Sequence, residues 1–245
     1  MPVTAPFRLA LTVWTLRRQA HNAIDRWDGT TWRRGLALPS GAVEIAVRQA
    51  GSVAAPRLIV TCSRRLGADE RKPLRTLLRT TLGLERDLAA FYALAARDPR
   101  LRELAQAFVG LRPPRYPSLF EALANAVACQ QVSLHVGILL LNRLAERFGP
   151  RVGGGCAFPR PQDLRHATAA DLRTFGFSQA KAHTLLRLAW RCADGELAVE
   201  PLEALDDAAA ARRLRAFAPY AGLVYFHLLL RRLAAGGVLP YQGPR

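Results

Sequence analysis

Near residue 66 the apolar residues of this chain change their spacing, and that change limits the fold more than any other feature. Before it, the runs "LALTVWTL", "AVEIAVRQ" and "RLIVTC" are rich in β-formers and are separated by turn clusters such as "RWDGTTW" and "LPSGA". Short runs of this kind between turn signals predict strands joined into an antiparallel sheet. From "GADERKPLRTLLRTTLG" onward apolar residues recur three and four apart, with Leu77, Leu78 and Leu82 on one face. This predicts one or two helices covering the sheet. Strands first and helices afterwards make an α+β fold.

The helical pattern is broken once, by the three prolines of "GLRPPRYPS" at residues 110 to 118, and resumes at once. Ser118 with Glu121 three residues later is a capping-box signature opening "LFEALANAVACQQ". Ser133 caps the next helix, "LHVGILLLNRLAERFG", which Gly149 and Pro150 end. Two helices therefore meet at a tight joint, "QQVS". Beyond it, "RPQDLRHA" and "AADLRTFG" read as short helices and "SQAKAHTLLRLAWRCADG" as a longer one, with Ser178 as its N-cap. "LEALDDAAAARRLRAF" continues the pattern, and "GLVYFHLLLRRLAAGG" is a last apolar helix stopped by Gly236 and Gly237. The expected division is an N-terminal α+β sheet domain at 1–85 and an α-helical domain at 86–245.

Arg and Lys number 35 against 19 acidic residues, a net charge of +16. A field of that sign favours a polyanionic partner, of which nucleic acid is the commonest. Only Lys72 and Lys181 are lysines, and arginine's forked donors suit phosphate oxygens. Cys62, Cys129, Cys156 and Cys192 stand far apart without a C-x-x-C pair, which supports neither zinc nor a cysteine-ligated cluster. His135, His166, His183 and His227 lack metal-ligand spacing. The apolar run from Leu9 to Leu16 is too short for a membrane span, and its arginines follow it. Asp25 and Asp28, in "IDRWDG", read as residues shaping a turn between strands. Trp14, Trp27, Trp32 and Trp190 read as packing residues.

One stretch adds a resemblance. "PSLFEALANAVACQQVSLHVGILLLNRLAERFG", "FPRPQDL" and "LRTFGFSQAKAHTLLRLA" resemble the helix-hairpin-helix DNA glycosylases, closest to the 3-methyladenine DNA glycosylase II group. "LTVWTLRRQAHNAIDRWDGTTWRR" and "DLAAFYALAARDPRLRELAQAFVGLRPPRYPSLFEAL" extend the likeness upstream, to that group's sheet domain and its junction with the helices. The most specific pieces are "ACQQVS" and "GFSQAKA". In the family the QQ-x-S joint faces DNA, and the residue in the place of Gln131 enters the duplex as a wedge where the damaged nucleotide is flipped out. The resemblance thus makes Gln130, Gln131 and Ser133 DNA-contact candidates. Read without it, paired glutamines between two helices satisfy backbone groups there. Lys181 lies in a first helical turn, where it could reach a phosphate or be a solvated surface lysine.

The family's phosphate-gripping hairpin reads like "LPGIGPWTA", and laid on it without gaps this chain reads "FAPYAGLVY". Pro219 and Ala221 fall where two glycines belong. Proline has no N–H to donate and alanine tolerates positive φ poorly, so the phosphate grip is weakened while Gly222 remains. Leu223 stands where a lysine would form a Schiff base, which argues against lyase chemistry. The family's catalytic aspartate follows in a segment like "DVFPADD"; here "GVLPYQGPR" places Gln242 or Gly243 at its position. No carboxylate side chain occurs after Asp207, and Asp206 and Asp207 read as caps of the following helix. Tyr225, His227 and Tyr241 fall near the expected lesion pocket. Family members continue with further helices, so the resemblance implies a helical domain truncated at its C-terminus.

The resemblance implies a cofactor-free monofunctional alkylbase DNA N-glycosylase of base-excision repair with a degenerate hairpin. The alternative is a non-catalytic duplex or damaged-DNA-binding protein. Either would be a monomer on double-stranded, alkylated DNA, cytoplasmic and nucleoid-associated.

Overall fold

The computed structural model describes residues 1–97 and 99–197. Four strands, β1 (Asp25–Trp27), β2 (Thr31–Leu38), β3 (Gly41–Ala50) and β4 (Arg57–Cys62), form an antiparallel meander in chain order. Asp28 closes the first turn by accepting the amides of Thr30 (3.0 Å) and Thr31 (2.8 Å). Register then decides which residues share a face. Asp25 pairs with Arg34 and Trp27 with Trp32, while Arg34 pairs with Ile45 and Trp32 with Val47. Trp32, Arg34, Ile45 and Val47 are all buried on that face.

The run "LALTVWTL" is not a strand. It forms a helix, α1 (Leu9–Arg17). Leu9, Val13 and Leu16 pack on the sheet core, and Trp14 packs on Phe108 and Leu111 behind it. A helix covered on both sides has no polar face, so the periodic signal that separates helix from strand is missing.

Helix α2 (Ala68–Thr81) covers the sheet through Leu74 and Leu78. Two short helices, α3 (Ala89–Ala95) and α4 (Pro99–Ala107), precede the proline-rich stretch. The helical part comprises α5 (Leu119–Cys129), α6 (Leu134–Phe148), α7 (Ala169–Thr174) and α8 (Gln179–Ala193), with a 3₁₀ turn at Pro161–Leu164. Their starts are set locally. The hydroxyls of Ser118, Ser133 and Ser178 accept the amides three residues on, at 3.1, 3.3 and 3.4 Å. Phe120, Ala124, Ile138, Leu141 and Leu185 then close one apolar core between α5, α6 and α8. Truncating any one of the larger of these would cost about 2–5 kcal/mol.

A small hairpin, β5 (Arg151–Val152) with β6 (Gly155–Cys156), follows α6. The chain after it crosses β2 at Gly35, where a Cβ would come within 2.7 Å of the Ala157 amide nitrogen. Only glycine permits that approach of two backbones. The fold is α+β, with helices docked on the sheet here and through one buried charge cluster.

In that cluster Arg34 donates to both Asp25 oxygens (2.7 and 2.8 Å) and to Glu121. Trp32 adds its indole N–H to Asp25 (3.0 Å). Asp25 is therefore not a turn residue; the β1–β2 register turns it inward. Glu121 does not complete the capping box with its side chain, because Arg34 holds it.

Candidate nucleic-acid interface

Helix α5 ends at Cys129, and the chain reverses into α6 over Gln130, Gln131, Val132 and Ser133. Gln130 is extended (φ −66°, ψ 134°), and its amide reaches back to the Val127 carbonyl at 3.4 Å. Gln131 has φ 51°, a left-handed conformation that costs a side-chain-bearing residue about 1 kcal/mol or more. Ser133 then caps α6. Gly137, one turn into α6, lets the helices close on each other: a Cβ there would meet the Cys129 sulfur at 2.6 Å and its Cα at 3.1 Å. Strained backbone of this sort persists only where the surroundings impose it.

A lysine from another helix is bound next to it. Lys181, in the first turn of α8, donates from Nζ to the carbonyl of Ala128 (3.0 Å) and of Gln130 (2.7 Å). Both are carbonyls at the C-terminal end of α5, where no further turn of helix supplies donors. The lysine is not a freely solvated one. Burial pulls its pKa below the ordinary lysine value, against the opposing influence of Cys129. No local sequence signal links position 181 to positions 128 and 130; the only hint was that both of the most specific motifs, "ACQQVS" and "GFSQAKA", belonged to one resemblance.

The glutamines themselves stay outside. Gln130, Gln131 and Ser133 are exposed, as are Val132 and Val136 beside them. The backbone groups at the joint are satisfied by Lys181 and Ser133. His135, at the start of α6, is exposed and lies against His21, with ring centroids 4.3 Å apart and the ring planes inclined by 53°. The joint thus presents a side chain on a fixed, protruding turn, with apolar and aromatic neighbours around it.

Behind the joint the α1 terminus supports α5. Arg18, itself at φ 57°, donates to Asn125 and lies 3.8 Å from the Cys129 sulfur, over the ring of Tyr116. Burial works against the Arg18 charge, but Tyr116, Cys129 and Asp25 outweigh it and raise its pKa. Next to it, burial pushes the Glu121 carboxyl up, and Arg34 offsets that only in part. This cluster is a structural brace: Asp25 is sealed in it, with neither exposure nor room to act on a sugar.

The other residues expected at the site fall outside the described residues: Gly222, Tyr225, His227, Tyr241, Gln242 and Gly243, together with Pro219, Ala221, Asp206 and Asp207. Among the described residues no three His, Cys, Asp or Glu side chains are placed to hold a metal ion. All four cysteines are free thiols.

No protein-family model matches the chain. It is 31% identical over 137 residues to a DNA-3-methyladenine glycosylase of Bacillus subtilis, a match covering 54% of this chain and 45% of the relative, so it spans about half that relative's length. Its fold matches the 3-methyladenine DNA glycosylase of Archaeoglobus fulgidus with a TM-score of 0.73 at 23% identity, over 96% of this chain and 79% of that one. It also matches a Clostridium acetobutylicum 8-oxoguanine glycosylase/lyase, solved with double-stranded DNA containing cytosine opposite 8-oxoguanine, with a TM-score of 0.63 at 19% identity, over 92% and 73%. The chain is thus similar in sequence, over about half its length, to a DNA-3-methyladenine glycosylase, and it shares the fold of solved 3-methyladenine and 8-oxoguanine DNA glycosylases.

Proposed function

We propose that this protein is a base-excision repair DNA N-glycosylase of the 3-methyladenine type, acting on alkylated duplex DNA. The observation that carries the reading is the α5–α6 joint, where a polar side chain, Gln131, is presented on a left-handed, externally clamped turn. Such a side chain can enter the base stack and fill the space left by an extruded nucleotide. The net charge of +16 supplies attraction to the phosphates. In the reaction the C1′–N bond breaks, its electron pair leaves with the base, and water oxygen bonds to C1′ and gives up a proton. Alkylation at a ring nitrogen already makes the base a better leaving group, so substrate chemistry carries part of the barrier.

A second reading rests on a specific sequence observation. Gln242 or Gly243 stands at the position of the expected acid. A neutral amide can orient water but does not offset cationic charge on the sugar. The protein would then bind damaged duplex without releasing a base. Leu223 in place of a lysine makes either form non-lyase. No helix among the described residues is long and apolar enough to cross a membrane. The reading places a monomer with DNA in the cytoplasm or nucleoid.

Single-turnover release of 3-methyladenine from alkylated duplex by excess protein, scored as alkali-labile sites, separates the two. Release above the protein-free rate, abolished in Gln131→Ala, is the expected outcome for the glycosylase. No release from folded, DNA-binding protein would leave the second reading.

A further inference from the structure

The ammonium of Lys181 belongs to α8 but serves α5. It lies 2.7 Å from the Gln130 carbonyl and 3.0 Å from that of Ala128, residues 51 and 53 positions earlier. In its own helix it is badly placed, because a cation in the first turn opposes the helix dipole. At the end of α5 the same charge lies against the negative end of a helix, so the unfavourable placement is offset there. The choice of lysine fits this task. It is one of two lysines among 35 basic residues, and a compact ammonium with three rotatable donors suits two converging carbonyls better than a planar fork suits them. The residue directly after the clamped Gln130 is the one held at φ 51°.

We propose that Lys181 is the positioning residue of the wedge: by tying the two carbonyls together it sets the left-handed turn of Gln131 before DNA arrives, so that the side chain protrudes without a reorganisation cost on binding. This rests on the reading that Gln131 enters the duplex. Preorganisation of this kind should appear in recognition of a disrupted base stack and not in general attraction to the backbone. A lysine that merely touched a phosphate would do the reverse. It would weaken all duplexes alike and lower the salt dependence by about one ion.

The test is equilibrium binding of the full chain to two duplexes of equal length, one intact and one with a central tetrahydrofuran abasic-site analogue, over a salt series. Wild type, Lys181→Met, Gln131→Ala and the double variant form a cycle. Lys181→Met should lower the preference for the abasic duplex by about tenfold, with the intact-duplex affinity and the salt slope nearly unchanged, and should cause no further loss once Gln131 is Ala. Additive losses, or an equal loss on both duplexes with a shallower salt slope, would overturn the positioning role. If Lys181→Met does not unfold cooperatively, Lys181→Gln, which keeps one donor group, takes its place in the cycle. Unchanged preference in Gln131→Ala would sink the wedge reading itself, whereas a loss there with none at position 181 would sink only this inference.

Discussion

Arg34 on β2 is ion-paired with Glu121 in the first turn of α5, and both side chains are about 1–3% exposed. Asp25 joins from β1, so one guanidinium holds two buried carboxylates and fastens the sheet to the helix that leads to the joint. Asp25 and Glu121 press the Arg34 pKa above its ordinary value in spite of burial. Removing one partner from such a group leaves charge without compensation. Arg34→Met strands two acids and should cost about 3–5 kcal/mol. Glu121→Gln keeps shape and leaves the Arg34–Asp25 pair, so its cost should be about 1–3 kcal/mol. Urea unfolding of the two variants checks the order; equal losses would mean that Asp25 contributes nothing to holding Arg34.

Gln131 supplies a test that needs no DNA. Its φ of 51° is costly for a residue with a Cβ, more so for a β-branched one, and open to glycine. Gln131→Val should lose about 1–2 kcal/mol relative to Gln131→Ala. Gln131→Gly should be neutral or gain up to about 1 kcal/mol, because relief of strain competes with the greater entropy of an unfolded glycine. Urea midpoints in the order Gly, Ala, Val are the expected result. Valine and glycine variants of equal stability would show that the turn is not held left-handed.

The caps at Ser118, Ser133 and Ser178 could be read from the sequence because each hydroxyl and its amide are three residues apart. The sheet could be read because turn chemistry and β-formers are also local. Helix α1 could not, since burial on both sides removed its periodicity. The roles of Asp25, Glu121 and Lys181 were invisible for another reason. Their partners lie 9, 87 and about 50 residues away, and the β1–β2 register, the docking of α5 on the sheet and the α5–α8 packing bring them together. The resemblance singled out the joint residues Gln130, Gln131 and Ser133, whereas the bonds of Lys181 to the Ala128 and Gln130 carbonyls carried no sequence signal.

Gly35 and Gly137 allow close approach for different neighbours. At Gly35 the obstacle to a Cβ is backbone, the Ala157 nitrogen and Cα at 2.7 and 2.9 Å. At Gly137 the nearest obstacle is the Cys129 sulfur, with that residue's own Cα at 3.1 Å. Overpacking by one methyl typically costs about 1–3 kcal/mol. Gly137→Ala should therefore be partly rescued by Cys129→Ala, which removes the sulfur. Gly35→Ala has no comparable rescue at position 157, where a smaller side chain leaves the backbone in place. Thermal unfolding of Gly137→Ala, Cys129→Ala and their combination measures the coupling, and strict additivity would contradict the contact.

Glu70, at the start of α2, gives the sheet region one acid-sensitive tie. Its carboxylate accepts from the Arg64 guanidinium (2.6 and 3.0 Å), from the Ser40 hydroxyl and from the Gly67 amide (2.8 Å). Arg64 first, then Ser40 and the Gly67 amide, hold its pKa down at about 2 from an ordinary 4.5. Because the folded value lies below the unfolded one, the charged form favours folding. Its contribution is complete above about pH 4.5 and is lost as pH falls toward 2. Glu70→Gln retains an acceptor for the amide but loses the charge. Its melting temperature should lie below wild type at pH 6, and the gap should close on acidification across that window. A melting series from pH 2 to 7, taken at low salt because the pair is solvent-accessible, reads this directly. A gap that stayed constant down to pH 2 would mean that Glu70 acts through packing and not through its charge.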